Sequence, residues 1–391
     1  MVRKVMSEEK LKITIKTLYG FEKAVQQELQ ELGYHDPEIL NRAVRITGAW
    51  RDVYYLNLYL RTGLVVLVEL AAFSFKDKDD LYAQAKKINW VSLFDKGKTF
   101  AIKGAIFSDV FTNTQFPQLL IKDAIVDQFR EQTGDRPNID AKNPQVSIDV
   151  YISGKNCVLS LNTTGAPLYK RGYRTETGPA PLNEVAAAGL LYLSGWDRKS
   201  TFIDPMCGSG TLVIEAALLA AGIPANIERR HYAFKNLLNF DRELWEGIYE
   251  AAPKKPVKLD FSIIASDIDQ IVVTKAKRNI RALPVSRCVQ FVMGDFEDLK
   301  IPEGNGVLIT NPPYGERMGE EIEALYARLG DWFKHELAGY ECWVISSNED
   351  ALKSVALKPS RKMKIFNGSL ECSFRNYSIY EGSKKKIQQE E

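Results

Sequence analysis

Thr201–Ala221 reads TFIDPMCGSGTLVIEAALLAA: an apolar strand ending in Asp204-Pro205, a short loop with two glycines, and an apolar run long enough for a helix. A strand, a glycine-bearing turn and a helix in that order predict a parallel, doubly wound sheet whose ligand gathers at the carboxyl ends of the strands. Glycine lets the backbone turn tightly and pass close to a ligand, and the helix start presents unpaired amides. The loop does not spell G-x-G-x-x-G. Asp204 would repel a pyrophosphate but can accept hydrogen bonds from a cationic amine, so a dinucleotide is disfavoured.

The same rhythm continues downstream. Strands are expected at FSIIASD from Phe261, VQFVMGD from Val289, GVLITNP from Gly306, ECWVISS from Glu341, MKIFNG from Met363 and CSFRNYSIY from Cys372. The first four strands of this regime end in polar residues, Gly or Pro, as a crevice requires. The last two lack an intervening helix and are separated by Asn367-Gly368, a hairpin signal, so one edge strand is expected to run antiparallel. Upstream of the Pro/Gly cluster at Gly178-Pro179-Ala180-Pro181, strand patterns such as KITIKTL and QVSIDVYI alternate with helical spacing at Phe21 to Leu32 and Gln118 to Arg130. The first 165 residues therefore read as small α+β units.

Composition bounds the function classes. The chain has 391 residues, 45% hydrophobic and 26% charged, which is ordinary globular usage and implies two or three domains. Basic and acidic side chains number 52 and 50, so no supercharged tail announces a polyanion. Up to Thr177 the count is 25 basic against 21 acidic, and the remainder is slightly acidic, a weak tilt toward nucleic-acid contact in the front part. Five cysteines without a C-x-x-C pair argue against a disulfide framework and for a reducing compartment. Three scattered histidines make poor material for a zinc site or a Ser-His-Asp triad, so no metal is expected. No run of about 18 apolar residues is present, and MVRKVMSEEKLK lacks a signal-peptide core. A cytoplasmic, non-membrane monomer is the expectation.

Three further strand ends carry chemistry. Asp267 stands where a carboxylate can accept both hydroxyls of a ribose, although either it or Asp269 could instead cap the following helix. Gly294-Asp295-Phe296 offers a carboxylate for an adenine amino group and a ring for its edge. Asn311-Pro312-Pro313-Tyr314-Gly315-Glu316-Arg317 is the most informative string. Two prolines remove backbone donors and leave the Pro312 carbonyl and the Asn311 side-chain oxygen as neighbouring acceptors. An exocyclic amino group of a base donates to both, turning its lone pair toward an electrophile, while Tyr314 offers a face for stacking.

DPMCGSGT, SDID, GDFED and NPPYGER, in that order, resemble the S-adenosylmethionine-dependent class I methyltransferases of exocyclic amino groups of bases. INW at Ile88, NTQF at Asn113, KDAIVD at Lys122, RPNID at Arg136, LYKRGYR at Leu168 and APLNEVAAAGLL at Ala180 extend the resemblance. Together they look like the bacterial 23S rRNA guanine-N2 methyltransferases with ferredoxin-like and THUMP front ends, in particular the amino-terminal half of a fused bifunctional enzyme. The resemblance implies a ferredoxin-like α+β unit over 1–60, a THUMP RNA-binding domain over 61–165, a linker and leading helix over 166–195 and a Rossmann-like methyltransferase with a mostly parallel seven-stranded sheet over 196–381. The tail 382–391 is expected to be disordered. No second methyltransferase unit follows before Glu391, so guanine-N7 methylation is not expected. The linker departs from the family's string at Asn183, where members often carry a lysine.

The resemblance further implies S-adenosylmethionine as cofactor and S-adenosylhomocysteine as product. It is to be held by Asp204, Pro205, Cys207, Gly208, Gly210, Thr211, Asp267, Asp295, Phe296 and Asn311. Asn311, Pro312 and Tyr314 would hold the 2-amino group of a flipped or unpaired guanine. Lys122, Arg130, Arg136, Lys170, Arg171, Arg174, Arg229, Arg230 and Arg317 are the candidate contacts to RNA, which is expected to be 23S rRNA or a ribosomal precursor, with Tyr169 and Tyr173 available to stack. The rival readings are a tRNA guanine-N2 methyltransferase, a DNA adenine-N6 methyltransferase, a non-catalytic RNA-binding module and an NAD-dependent dehydrogenase. The last explains neither Asn311-Pro312-Pro313-Tyr314 nor the missing third glycine.

Overall fold

The structure, a computed structural model, describes residues 10–111, 113–176, 182–255, 258–314, 319–368 and 370–380. The Gly178–Pro181 cluster, Arg317 and the 382–391 tail lie outside these. The chain forms two units, one of Met1–Lys16, Tyr34–Leu168 and Arg230–Ala251, the other of Thr17–Gly33, Tyr169–Arg229 and Ala252–Glu391.

The first unit is built on one seven-stranded sheet of order β2-β3-β1-β4-β7-β6-β5. β1 (Leu11–Lys16) buries Ile13 and Ile15 between lysines and lies antiparallel to β3 (Ala43–Gly48) and β4 (Val65–Ser74). β2 (Glu38–Leu40) extends that edge. β4 then pairs antiparallel with β7 (Asn156–Asn162), so the front α+β strands and those that follow share one sheet rather than two. β6 (Val146–Ser153) pairs antiparallel with β7, and β5 (Phe100–Phe107) runs parallel to β6 through the crossover helix Phe116–Thr133. Segment Arg230–Ala251 comes back from far down the chain to this unit. Its Phe234, Phe240 and Trp245 rings stand 4.7, 5.9 and 6.4 Å from Tyr54, and the Asp241 amide donates to the Tyr54 hydroxyl. Tyr232, Phe234 and Trp245 of this segment are buried in the core of the first unit.

The second unit carries the expected sheet, of order β10-β9-β8-β11-β12-β14-β13. β8 (Thr201–Asp204) is buried at every position because it lies between β9 (Ile263–Asp267) and β11 (Gly306–Thr310), parallel to both. β10 (Val289–Met293) and β12 (Tyr340–Ser346) continue the parallel set on either side. Chain order reverses on the two sides of β8, and such a switch point opens a crevice at the carboxyl ends. The hairpin of β13 (Arg361–Asn367) and β14 (Leu370–Ser378) is present, but the antiparallel strand is not at the edge. β14 inserts between β12 and β13, burying Cys372, Phe374 and Tyr377, and β13, with its Arg361, Lys362 and Lys364, takes the edge. Apolar content decides the order: the strand that can bury both faces goes inside, and lysines protect the free edge.

Two close approaches hold helices against this unit. Helix Glu22–Glu31 belongs to it, because Phe21 fills the space a side chain at Gly189 would need: a Cβ there would lie 2.1 Å from the Phe21 ring. A Cβ on Gly330 would lie 1.9 Å from the Val355 carbonyl, so glycine lets helix Gly319–Glu336 rest on the end of Glu349–Ser354.

The linker after Leu168 is nailed to the helix that follows the glycine loop, Thr211–Ala220. The Arg171 and Glu215 side chains are fully buried against each other, with Nε donating to Oε1 at 3.2 Å, Nη1 to Asn226 at 3.3 Å and the Tyr173 hydroxyl to Glu215 at 3.0 Å. Burial opposes the Arg171 charge, but the Glu215 carboxylate more than offsets this and holds the guanidinium above its ordinary range. Removing one partner strands the other's charge. Glu215→Gln is expected to cost about 3–5 kcal/mol of stability, read as a lowered midpoint in urea unfolding.

Candidate active site

A cleft of about 490 Å³ opens at the carboxyl ends of β8, β9, β10 and β11. Asp204, Pro205, Cys207, Gly208, Thr211, Asp267, Asp295, Phe296, Asn311, Pro312 and Tyr314 all line it. The sheet thus gathers the expected cofactor and substrate residues except Gly210, which does not line the cleft and instead precedes helix Thr211–Ala220. Gly208 and Gly210 have φ of +55° and +85°, a backbone that glycine adopts without strain, and a Cβ on Gly210 would meet Ala276 at 2.9 Å. The loop is laced to the neighbouring strand end. The Cys207 amide donates to the Ser266 carbonyl at 2.8 Å, and the Gly208 amide to Asp267 Oδ2 at 2.9 Å.

The choice between Asp267 and Asp269 is resolved by geometry. Asp269 caps helix Gln270–Ile280, accepting from the Ile271 amide at 2.7 Å, while Asp267 accepts from Gly208 and from the Asp269 amide at 3.0 Å and faces the cleft. Asp204 is enclosed, 2% exposed, and accepts from the Met206 amide at 3.3 Å. Burial, followed by the nearby Asp267 charge, pushes its carboxyl well above the ordinary range. Burial likewise raises the Cys207 thiol, which suits packing and not nucleophilic chemistry.

At the far wall, Asp295 caps the short turn Phe296–Asp298 and pairs with Arg328, whose Nη2 donates to Asp295 at 2.8 Å and to Glu297 at 2.6 Å. The guanidinium also lies 5.0 Å over the Phe296 ring. Partial burial works against the Asp295 charge, but the Arg328 and backbone hydrogen bonds outweigh it and hold the carboxyl below its ordinary range. At the end of β11 the Tyr314 hydroxyl donates to the Asn311 side-chain oxygen, and burial pushes the Tyr314 phenol up. Arg328 and Asn348, which donates to the Tyr314 carbonyl at 3.2 Å, are the residues that sequence reading missed. Both sit on elements that follow the motif, and no local pattern marks them.

The basic residues divide. Arg130, Arg136, Lys170 and Arg230 are exposed, and Lys122 is half-buried beside Asp123. Three arginines are not available as expected. Arg171 is the core ion pair described above. Arg174 pairs with Glu184 at 3.1 Å and donates to Thr211 and to the Leu182 carbonyl. Arg229 is 7% exposed and donates to the Lys170 carbonyl at 3.1 Å. Tyr173 is buried on Glu215 and cannot stack on a base. In each case a charged or aromatic residue in the linker finds a partner inside the fold, where a surface role was expected. Asn183 caps helix Glu184–Ser194 through the Val185 and Ala186 amides. Among the described residues, no helix is long and apolar enough to cross a membrane.

Comparison with known proteins agrees with this layout. Residues 171–376 match the RMKL-like methyltransferase domain, 75–162 the THUMP domain and 12–67 the RlmL ferredoxin-like domain. The ribosomal RNA large subunit methyltransferase K/L of Shewanella frigidimarina is 36% identical over 376 residues, which is 94% of this chain and 52% of that protein. The chain thus spans about half the length of the curated relatives it matches. Among solved structures, SMU.472 in complex with SAH has a TM-score of 0.84 at 27% identity, covering 96% of this chain and all of that one. A predicted N6-adenine-specific DNA methylase from Listeria monocytogenes has a TM-score of 0.84 at 26% identity, covering 96% and 98%. More than half of the chain, and every element that lines the cleft, falls within the first of these matches, and the chain belongs to the RMKL-like methyltransferase domain family.

Proposed function

We propose that the chain transfers a methyl group from S-adenosylmethionine to the exocyclic 2-amino group of a guanine in large-subunit ribosomal RNA. The observation that carries this reading is the meeting, in one cleft, of the glycine loop with Asp204 and Asp267 on one side and Asn311-Pro312 on the other. The ribosomal RNA methyltransferase relatives and the SAH-bound neighbour support it.

The residues present fit the cofactor. Asp204 is a buried carboxyl that accepts from the Met206 amide, the acceptor a cationic amine needs, and Gly208, with nothing within 4 Å of where a Cβ would stand, leaves room for close approach. Asp267 and Asp295 offer carboxylates for ribose hydroxyls and an adenine amino group. When bound, the cofactor supplies an already activated methyl group. The protein's part is then alignment and electrostatics, with no strong base required. Asn311 Oδ1 and the Pro312 carbonyl accept the two protons of the amino group and orient its lone pair. For that, the Tyr314 hydroxyl must leave the Asn311 oxygen it holds here, which frees the ring to stack on the base. A guanine must be flipped or unpaired to enter. Lys122, Arg130, Arg136, Lys170 and Arg230 are the phosphate contacts of this reading.

A second reading, adenine-N6 methylation of DNA, has the name of the Listeria neighbour in its favour and uses the same two acceptors. Transfer from radiolabelled S-adenosylmethionine to unmodified 23S rRNA, tRNA and DNA, followed by nucleoside analysis, separates the readings: N2-methylguanosine in 23S rRNA is the expected product. N6-methyladenine in DNA, or label in tRNA alone, would replace the substrate assigned here. Asn311→Ala should lower kcat by about a hundredfold or more while SAH binding by calorimetry stays near wild type, because the amino-group acceptor is lost and the other candidate cofactor residues of the cleft remain.

Asp204 gives a pH signature. Its folded pKa lies above the unfolded value of 3.8, so stability is full below that value and lost as pH rises through the folded pKa. Asp204→Asn lacks this loss. Without ligand it should melt above wild type at pH 8, with the gap closing toward pH 4, and it should bind SAH more weakly because the amine loses its anionic partner.

A further inference from the structure

We infer that Asn348 is a positioning residue for the amino-group site, fixing the backbone of the Asn311–Tyr314 loop so that Tyr314 can exchange with substrate by side-chain rotation alone. This rests on the reading of Asn311, Pro312 and Tyr314 given above.

The loop has an intrinsic weakness. Pro312 and Pro313 have no N–H, so half of the residues in Asn311-Pro312-Pro313-Tyr314 cannot donate a hydrogen bond to anchor it. Such a segment must be held through its acceptors, by donors from elsewhere. Asn348 supplies one: its Nδ2 donates to the Tyr314 carbonyl at 3.2 Å. The direction of this bond is fixed by the other end of the amide, because Asn348 Oδ1 accepts from the Ala351 amide at 2.9 Å as the cap of helix Glu349–Ser354. The Asn348 backbone is pinned as well. Its amide donates to Ser346 Oγ at 3.1 Å, and that hydroxyl accepts from the buried Tyr326 hydroxyl at 2.8 Å. Ser346 ends β12, the strand directly parallel to β11, so the support comes from the strand beside the one that carries Asn311.

Two of the contacts that hold Tyr314 have different consequences. Its carbonyl is tied to Asn348, which leaves the backbone fixed, while its hydroxyl occupies the Asn311 oxygen that an incoming amino group needs. With the carbonyl tied, displacing the hydroxyl requires the ring to turn and leaves the Pro312 carbonyl where it was. Without the tie, the same displacement frees the whole loop, and the two acceptors lose their mutual geometry. Loss of alignment lowers turnover more than binding.

A helix cap alone would be served equally well by Asp or Ser, which keep an acceptor for the Ala351 amide. Neither donates to the Tyr314 carbonyl as Asn348 does: Asp is acceptor-only when ionised, and the Ser hydroxyl is too short to reach both partners. The test measures kcat and KM on the nucleic acid that accepts the methyl group, SAH affinity by calorimetry, and Tm, for Asn348→Asp, Asn348→Ser and Asn311→Ala. Both Asn348 variants are expected to keep Tm and SAH affinity near wild type and to lose about tenfold in kcat with KM changed less than about twofold. Wild-type kcat in either folded Asn348 variant, with Asn311→Ala inactive, would overturn the role of Asn348 and leave the site standing. Full activity of Asn311→Ala would instead remove the amino-group site itself, and this inference with it.

Discussion

A fully buried guanidinium facing a fully buried carboxylate is the constraint around which the second unit is organised. Two charges without solvent are tolerated only with tight geometry, and Arg171, Glu215, Asn226 and Tyr173 meet that demand together. Glu215 lies on the helix that follows the glycine loop, so the linker and that helix are locked to one another. Arg174 extends the lock to the first residue of the helix, Thr211, which lines the cleft. Thr175 and Glu176 then donate their amides to Asn279, at the end of the helix after β9. The floor of the cleft therefore inherits its position from buried polar contacts in the linker as much as from the sheet.

Where sequence carries local rules, the fold was legible. Alternation in β1 and in β6, the apolar strand before the glycine loop, and the polar ends of β8 to β11 are each dictated by the immediate neighbours in the chain. The candidate site was legible for the same reason: motif residues at strand ends converge wherever a doubly wound sheet reverses order. The hairpin at Asn367-Gly368 was visible too, but its placement was not. That depends on which of two strands has two apolar faces to bury, a property of the finished sheet.

The arginines show where such reading ends. Arg171, Arg174 and Arg229 sit in basic, aromatic-rich strings that look like a nucleic-acid surface, and the fold turns all three to internal acceptors. Burial of a charge depends on a partner such as Glu215, 44 residues away, which no local pattern announces. Arg328 and Asn348 were missed for the complementary reason. Their partners, Asp295 and the Tyr314 carbonyl, are 33 and 34 residues distant, and an isolated Arg or Asn on a helix has many ordinary uses.

The chain enters and leaves each unit more than once: Thr17–Gly33 departs from the first unit, and Arg230–Ala251 returns to it. A ribosome delivers residues in order, so the first unit cannot acquire its Phe234 and Trp245 until most of the β8 region has also emerged. The first unit has all of its stretches once Ala251 has emerged, whereas the second still awaits the stretch from Ala252 onward. Sequence shuffling that moves one contiguous stretch cannot transplant either unit intact, because each is assembled from three separate stretches of the chain.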